Sequence, residues 1–596
     1  MILQTIKWPK NEVCNVEEMY YHKVGDVFYT DENVLHIAKG SKCFLDSYFN
    51  SLSIDKWKKY TIVDNVYAVI KVKGYGKISA QYKMRVTQWD LPEYIVDTVE
   101  VNCDEPTEVK LSFPSNCTGM IFLGIEAFCE DFIVYGGSYN CDVDENKVRD
   151  IKIGIGICTF RRESFVERNI SLLNGNIFNN KKSSINGHLE VFISDNGKTL
   201  DAEKLSSKNI HMFQNKNTGG AGGFTRTLIE MMKVRNDTSL THALLMDDDI
   251  TIDTEALERT YVMLSLLKEE YKDSFIGGAM LRNDRTFMQV ESGAAWNAGA
   301  LKSYKQNLDL RSAEACLYNE LEERYEFNAW WYCCFPLNVV TDKNLPMPIF
   351  IRGDDLEYGL RNMKNLILLN GICVWHEPFE NKYSSFLNYY IFRNKLIDNA
   401  IHFPDYGKKQ LIKELRMEVL REVFLYRYKN VDLLLQGVED FLEGVDFLLN
   451  TDGEKLHKDI MAAGYKAETM EALGRKFYIS EYENYFLKDD SKADKIKRVF
   501  TFNGYLLSEK GGMRTLSMSH VNTSNTYRAS EILYVDIVTK KGFVVKRDKR
   551  EMKRCMRRYR RVVSMINRKY DKAKKDYQNR IEMLRSIEFW NKYLGL

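Results

Sequence analysis

What this 596-residue chain lacks excludes several classes of protein. No run of about 18 apolar residues occurs, so nothing in it reads as a membrane-spanning helix. The opening MILQTIKWPKNEVC (1–14) has no apolar signal core, which predicts a protein made and kept in the cytoplasm. Its twelve cysteines include no CxxC pair, and the adjacent Cys333 and Cys334 are poorly placed to chelate one zinc, so reduced, mostly buried thiols are expected. Net charge is nearly absent too, at +2, yet it is segregated: residues 546–580 hold sixteen Lys or Arg against four Asp or Glu. A chain this long exceeds one hydrophobic core, and roughly two to four domains follow.

What is present divides into three textures. Residues 1–147 read as short strands with turn punctuation, such as VYAVIKVKGYGKISAQYKMRV (66–86), and predict a β-sandwich or jelly-roll domain serving as scaffold or acceptor guide. From 148 to 400 apolar strands alternate with helices: IKIGIGICTF, ESFVERNISLLNG, HLEVFISDNG, GFTRTLIEMMKVR, THALLMDDDI. That order implies an α/β domain on a parallel sheet, with ligands at the carboxyl ends of its strands. Residues 401–596 form a helical region whose basic tail repeats Met552, Met556, Tyr559, Val563, Ile566, Tyr570, Ala573 and Tyr577 as a heptad seam. The seam fits packing on its own bundle, self-association, or a helix lying on an anionic membrane; sparse aromatics argue against nucleic acid.

The chemistry-bearing residues sit at strand ends. LLMDDDITID (244–253) places Asp247, Asp248 and Asp249 on the rim of a buried sheet, where a hard divalent cation relieves their repulsion. In PMPIFIRGDDLEYGLR (346–361), capping accounts for one of Asp354 and Asp355, leaving the other free to act as a general base. His376 ends the strand of GICVWHEPF and is able to complete a metal shell. QNKNTGGAGGFTR (214–226) precedes a helix, and Gly219, Gly220, Gly222 and Gly223 would let amides approach a phosphate or sugar, although the spacing is neither a Walker A nor a dinucleotide fingerprint. In NAWWYCCFP (328–336), alternation along a strand would turn one of Trp330 and Trp331 inward and leave the other for a ligand.

Taken in order, CTFRR, SDNG, NKNTGGAGGFTR, LLMDDDI, WWYCCFP, RGDDLEYGLR and VWHEPF resemble the inverting GT-A glycosyltransferases, in particular the polymerising galactofuranosyltransferases that build bacterial galactan. The resemblance implies a GT-A (nucleotide-diphospho-sugar transferase) catalytic domain between the β domain and the helical region. It implies Mn2+ or Mg2+ held by Asp247, Asp249 and His376, with Asp248 against the ribose or donor sugar. It implies Asp355 as catalytic base with Asp354 assisting; Arg162, Asn196, Asn217 and Arg352 at the uridine diphosphate; and Trp330, Trp331 and Glu291 at the acceptor. Two positions depart from the family pattern: Gly353 separates Arg352 from the aspartate pair where a bulkier residue is expected, and Ile391 stands in LNYYIFRN (387–394) where a polar acceptor contact would fall.

The implied reaction is metal-dependent transfer of galactofuranose from UDP-galactofuranose to a growing glycan or lipid-linked glycan, with inversion, by a homo-oligomer working at the inner face of the plasma membrane. The alternatives are a transferase for another UDP-sugar, a sugar-nucleotide pyrophosphorylase-like enzyme, and a non-catalytic carbohydrate binder with a decayed site.

Overall fold

The computed structural model of the chain describes residues 1–30, 33–297, 299–378, 383–483, 491–519 and 521–596. Phe379, the last residue of VWHEPF, lies outside them. Residues 2–141 are organised by one long hairpin, Val66–Lys83 with Glu93–Phe113. The other edge of Val66–Lys83 changes partner midway, its first half pairing with Asp131–Cys141 and its second with Met120–Ala127. Those two partners are consecutive in sequence yet do not pair with each other, so the ladder folds over into two layers. The change falls at Gly74, whose φ is +117° and where a Cβ would lie 2.9 Å from Cys129 Sγ. Alternate residues Ala68, Ile70, Val72, Ile78 and Ala80 fill the space between the layers.

The next unit is α/β. Strands β1 (Ile153–Thr159), β2 (Leu189–Asp195), β3 (Ile210–Gln214) and β4 (His242–Asp247) are parallel in the order β3-β2-β1-β4. The far side is mixed, which corrects the expectation of a parallel sheet. There β5 (Phe275–Arg282) and β7 (Leu366–His376) run parallel to each other, while β6 (Cys333–Pro336) is antiparallel to both β4 and β5. A short apolar run reports burial on both faces but not direction, which is why CCFP could not be oriented from sequence. Helices α1 (Glu163–Leu173), α2 (Gly219–Thr238), α3 (Glu255–Leu266), α4 (Asp354–Asn362) and α5 (Leu387–His402) complete the unit. Because the chain leaves β1 for β2 on one side and returns to β4 on the other, a crevice opens at the carboxyl ends of β1 and β4.

The β-rich and α/β units share one apolar core running from Leu3 to Trp375. Buried polar contacts pin them together. Thr5 donates through its amide and hydroxyl to Glu255 (2.8 and 2.6 Å), Arg259 donates to the Phe49 carbonyl (2.7 Å), and Lys7 pairs with Asp253 (3.3 Å). Burial alone would raise the Asp253 carboxyl, but Lys7 and Lys10 outweigh it and hold the group down at about 2. Its contribution to stability is therefore complete above the unfolded-state value of about 3.9 and is lost as pH falls through about 2. Asp253→Asn should cost about 3 kcal/mol at neutral pH, because two lysines lose a buried partner, and less as the denaturation series moves toward pH 2. Equal destabilisation at every pH would show that the pair does not act through charge.

Past residue 400, helices α6 (Lys408–Phe424), α7 (Tyr428–Phe441) and α8 (Lys549–Leu584) pack with α5 around a second core. The region also contains what the sequence reading did not anticipate, a four-stranded sheet built from Glu468–Thr469, Met513–Ser517, Glu531–Asp536 and Lys541–Lys546. The predicted seam of α8 is buried from Ile566 through Tyr570, Ala573 and Tyr577. Nearer its start the buried positions are Cys555 and Val562, and Met552, Met556 and Tyr559 lie beside the core rather than in it. A straight helix drifts off a seven-residue repeat by about 20° per heptad, enough to move the stripe by one residue. The seam thus serves the chain's own bundle, where Arg554 and Arg558 reach Asp432 (2.6 and 2.9 Å) and Arg558 also reaches Glu439 (2.6 Å). The last helix, α9 (Ile587–Leu594), returns to the α/β unit and buries Trp590, whose Nε1 donates to the Pro346 carbonyl at 2.9 Å.

Candidate active site

The crevice is lined from four directions. From the end of β4 come Asp247, Asp248 and Asp249; from β7, His376; from the start of α1, Arg162; from the start of α4, Asp354 and Asp355. Asp247, Asp249 and His376 each offer a ligand atom, all within 4.8 Å of one another. His376 Nδ1 lies 2.6 Å from the Glu377 carbonyl, which only accepts, so this nitrogen carries the hydrogen. Nε2 is then the nitrogen that faces Asp249 Oδ1, at 3.2 Å. A backbone carbonyl fixing one imidazole nitrogen while the other points at carboxylates is the outer-shell arrangement of a metal-binding histidine.

The electrostatics are strained in one direction. Burial raises Asp247 to about 7, with His376 opposing and Asp249 and Asp248 adding to the rise. Burial also raises Asp248, against the opposing Arg162 guanidinium. Arg162 Nη1 reaches Asp248 at 2.8 Å and Asp249 at 2.6 Å and offsets part of the crowding. One guanidinium beside three crowded carboxyls, Asp248 buried and Asp247 and Asp249 partly so, leaves negative charge that a second, harder cation is suited to balance.

Asp354 and Asp355 open α4 after a tight segment in which Phe350, Arg352 and Gly353 have φ of 75°, 68° and 93°. Burial and then Asp355 raise Asp354 to about 8. Burial also raises Asp355, against the amide of Leu356, which donates to its Oδ1 at 2.8 Å, and against the nearby Arg352. Glu357, one turn on, anchors the helix: it is fully buried, pairs with Arg361 (2.8 Å) and His402 (3.2 Å), and those partners override burial to hold it at about 2. Glu291, at the end of strand Met288–Glu291, comes into the field of Asp355 and Arg352, and burial raises it.

The other expected residues lie at the glycine segment and in the turn before β6. Asn196 is buried and donates to the Gly219 carbonyl (2.9 Å) while accepting from Asn215 (2.8 Å); Asn217 accepts from the Gly219 amide (3.2 Å). These asparagines shape the glycine segment itself. The glycines likewise admit protein rather than open space. A Cβ at Gly219 would lie 2.1 Å from the Phe350 carbonyl oxygen, at Gly222 1.8 Å from Thr218 Oγ1, and at Gly223 2.1 Å from Cys158 Sγ. Only Gly220 faces the crevice, with Asp354 Oδ2 3.9 Å from its would-be Cβ. Neither indole of the tryptophan pair is left open: Trp330 and Trp331 are each 5% exposed. They precede β6 in a turn, so strand alternation does not apply to them. Trp330 wedges between Phe224 and Tyr358, and Trp331 donates to the Gly278 carbonyl at 2.9 Å. Sequence reading missed Asn215, one residue into the NKN motif, and the buried Asp398 of α5, which lies beneath Gly353. Two surface cavities, of about 410 and 320 Å³, lie elsewhere and touch none of these carboxylates.

Residues 3–126 match the family model of the galactofuranosyltransferase 2 N-terminal domain. Galactofuranosyltransferase GlfT2 of Mycolicibacterium smegmatis is 24% identical over 448 residues, which are 70% of this chain and 66% of that protein. GlfT2 of Mycobacterium tuberculosis is 24% identical over 449 residues, 70% of this chain and 67% of that protein. The chain thus spans about two thirds of the length of these relatives. Among solved structures, glucosyl-3-phosphoglycerate synthase from Mycobacterium tuberculosis in complex with phosphoglyceric acid is 14% identical over 43% of this chain and 82% of that one, with a TM-score of 0.27.

Proposed function

We infer that this chain, a relative of the galactofuranosyltransferases, is an inverting GT-A glycosyltransferase that moves galactofuranose from UDP-galactofuranose to a growing galactan or other cell-surface glycan. The observation that carries the reading is the convergence of Asp247, Asp249 and His376 across the crevice from Asp354 and Asp355. Two carboxylate oxygens and one imidazole with a fixed tautomer fit Mn2+ or Mg2+. When bound, the ion supplies positive charge beside the diphosphate.

The residues of the chain do the rest. Arg162, paired with Asp248 at 2.8 Å, is the residue we assign to the diphosphate, and Asp248 is assigned to the ribose or donor sugar. Asp355 takes the proton of an acceptor hydroxyl as that oxygen attacks the anomeric carbon from the face opposite UDP. The bond from the anomeric carbon to the diphosphate oxygen breaks, its electron pair leaves with UDP, and configuration inverts in one step. A carboxyl whose affinity for protons is raised by burial is the better base near neutrality. Glu291 is assigned to the acceptor and Arg352 to the diphosphate; Trp330 supports the site by packing between the helices of Phe224 and Tyr358, and Trp331 by its bond to the Gly278 carbonyl.

The deciding experiment incubates the full chain with UDP-galactofuranose, Mn2+ and a short galactosyl acceptor, and identifies the product. Galactofuranose added with inverted configuration and UDP released is the expected result; no product, with turnover of UDP-galactopyranose or UDP-glucose instead, would overturn the donor. The outward basic face of α8 suits an anionic membrane surface as the place of work. Flotation with anionic vesicles at low but not high salt would bear this out, and equal flotation with neutral vesicles would not.

A further inference from the structure

The segment that presents Asp354 and Asp355 is held in a conformation its residues do not favour. Phe350 and Arg352 have φ of 75° and 68°, in the left-handed region that side-chain-bearing residues avoid, and Gly353 follows at 93°. Such a backbone persists only where its surroundings dictate it. Those surroundings include three buried polar residues of α5, Asn394 and Asp398 one turn apart on the same face and Arg393 next to Asn394.

Asn394 Nδ2 donates to the carbonyls of Arg352 (2.6 Å) and Ile351 (2.8 Å), with Ile349 at 3.4 Å. Its Oδ1 accepts from Arg393 Nε at 2.9 Å, which settles the amide's orientation, and Arg393 Nη2 donates to the Ile349 carbonyl at 2.6 Å. Arg393 is fixed in turn by the Tyr389 hydroxyl at 3.2 Å and by the rings of Tyr389 and Tyr390. Under Gly353 lies Asp398: a Cβ at position 353 would sit 3.1 Å from its Oδ2, and its Oδ1 is buried with no hydrogen-bond partner. Burial raises Asp398 well above the usual range, with Glu357, Asp355 and Asp354 adding.

We propose that Asn394, oriented by Arg393, is a positioning residue for Asp355: it clamps the carbonyls of Ile351 and Arg352 so that the left-handed turn at Arg352 and Gly353 aims the carboxylate at the acceptor. The proposal rests on the reading of Asp355 as base. It assigns LNYYIFRN a job in holding the catalytic turn from behind, in place of an acceptor contact along its length.

Asn394→Asp is nearly isosteric, keeps the acceptor for Arg393 and removes the two amide donations. It should lower kcat about 10²-fold through misplacement of the base, with a smaller rise in KM for UDP-galactofuranose, because Asp247, Asp249, His376 and Arg162 stay in place while Asp354 shares the displaced turn. Gly353→Ala keeps the Asn394 amide donors and strains the same turn, through its positive φ and through a Cβ 3.1 Å from Asp398 Oδ2, so it tests the idea even if Asn394→Asp folds poorly. It should also lower kcat, and the double variant should lose less than the product of the two single losses, because both act on one turn. A kcat within about threefold of wild type for Asn394→Asp, a loss confined to KM for the nucleotide, or multiplying losses would overturn the proposal. Asp355→Asn is assayed alongside. If it turns over normally, the base assignment falls and the clamp with it; if it is inactive while Asn394→Asp is fully active, the clamp alone falls.

Discussion

Asp355→Asn should lose transfer by about 10³-fold or more while binding UDP nearly as well as the wild type, since a positioned general base is worth about 10²–10⁴. The substitution is close to isosteric, and the Leu356 amide that donates to Asp355 Oδ1 at 2.8 Å finds the same acceptor in a carboxamide oxygen. Removing one of two adjacent buried carboxyls also relieves repulsion, because Asp355 is the strongest charge raising Asp354. The variant should therefore melt no lower than the wild type, and its loss of rate is then a loss of chemistry. Asp354→Asn is the contrasting case. Asp354 faces Gly220 and the aspartate triplet, so its loss should appear mainly in donor binding. Rates of UDP release and calorimetric UDP affinity, measured on both variants, separate the roles; normal turnover by Asp355→Asn would show that another group takes the proton.

The site was legible where its residues end strands. Asp247–Asp249 and His376 follow apolar runs, and a carboxylate or imidazole at the rim of a buried sheet announces itself because burial there is costly without a ligand. Asp354 and Asp355 stand out as an acidic pair at a helix start, but neither is the cap that the sequence suggested: the N-cap is Gly353, with no side-chain cap hydrogen bond. What was not legible depends on contacts across long stretches of chain. Asn394 reaches Ile351 and Arg352 through carbonyl oxygens, and no side-chain pattern marks a carbonyl that needs a partner. The glycines of NTGGAGG were read as space for a phosphate, whereas most of that space is taken by Phe350, Thr218 and Cys158, of which only Thr218 is near in sequence. The sheet inside the helical region had a signal in EILYVDIVTKKGFVVK, two apolar runs about the turn at 537–540, but helix-period sequence on both sides masked it. The heptad of α8 was right in its second half and one residue out in its first, as expected when a 3.5 repeat is laid on a straight helix.

The second large effect concerns the cation. Stripping divalent ions with EDTA should abolish transfer, and Mn2+ should restore it, because among the described residues Asp247, Asp249 and His376 are the one group of carboxylate, imidazole or thiol ligands close enough to share an ion. A reading independent of turnover comes from melting: an ion at about a hundred times its Kd should stabilise the folded chain by about 2.7 kcal/mol. Asp249→Asn should erase both responses, since Asp249 is the residue that His376 Nε2 faces at 3.2 Å. In EDTA this variant should melt at or above the wild type, for two reasons. Asp249 is among the charges that raise Asp247, and Arg162 keeps its bond to Asp248 at 2.8 Å when Asp249 is neutral. A site that is destabilising when empty and stabilising when filled is what crowded, partly buried carboxylates built for a cation should show, and a purely structural acidic cluster should not. Manganese raising the melting temperature of Asp249→Asn as far as that of the wild type would place the ion elsewhere, and undiminished transfer in EDTA would remove it from the reaction.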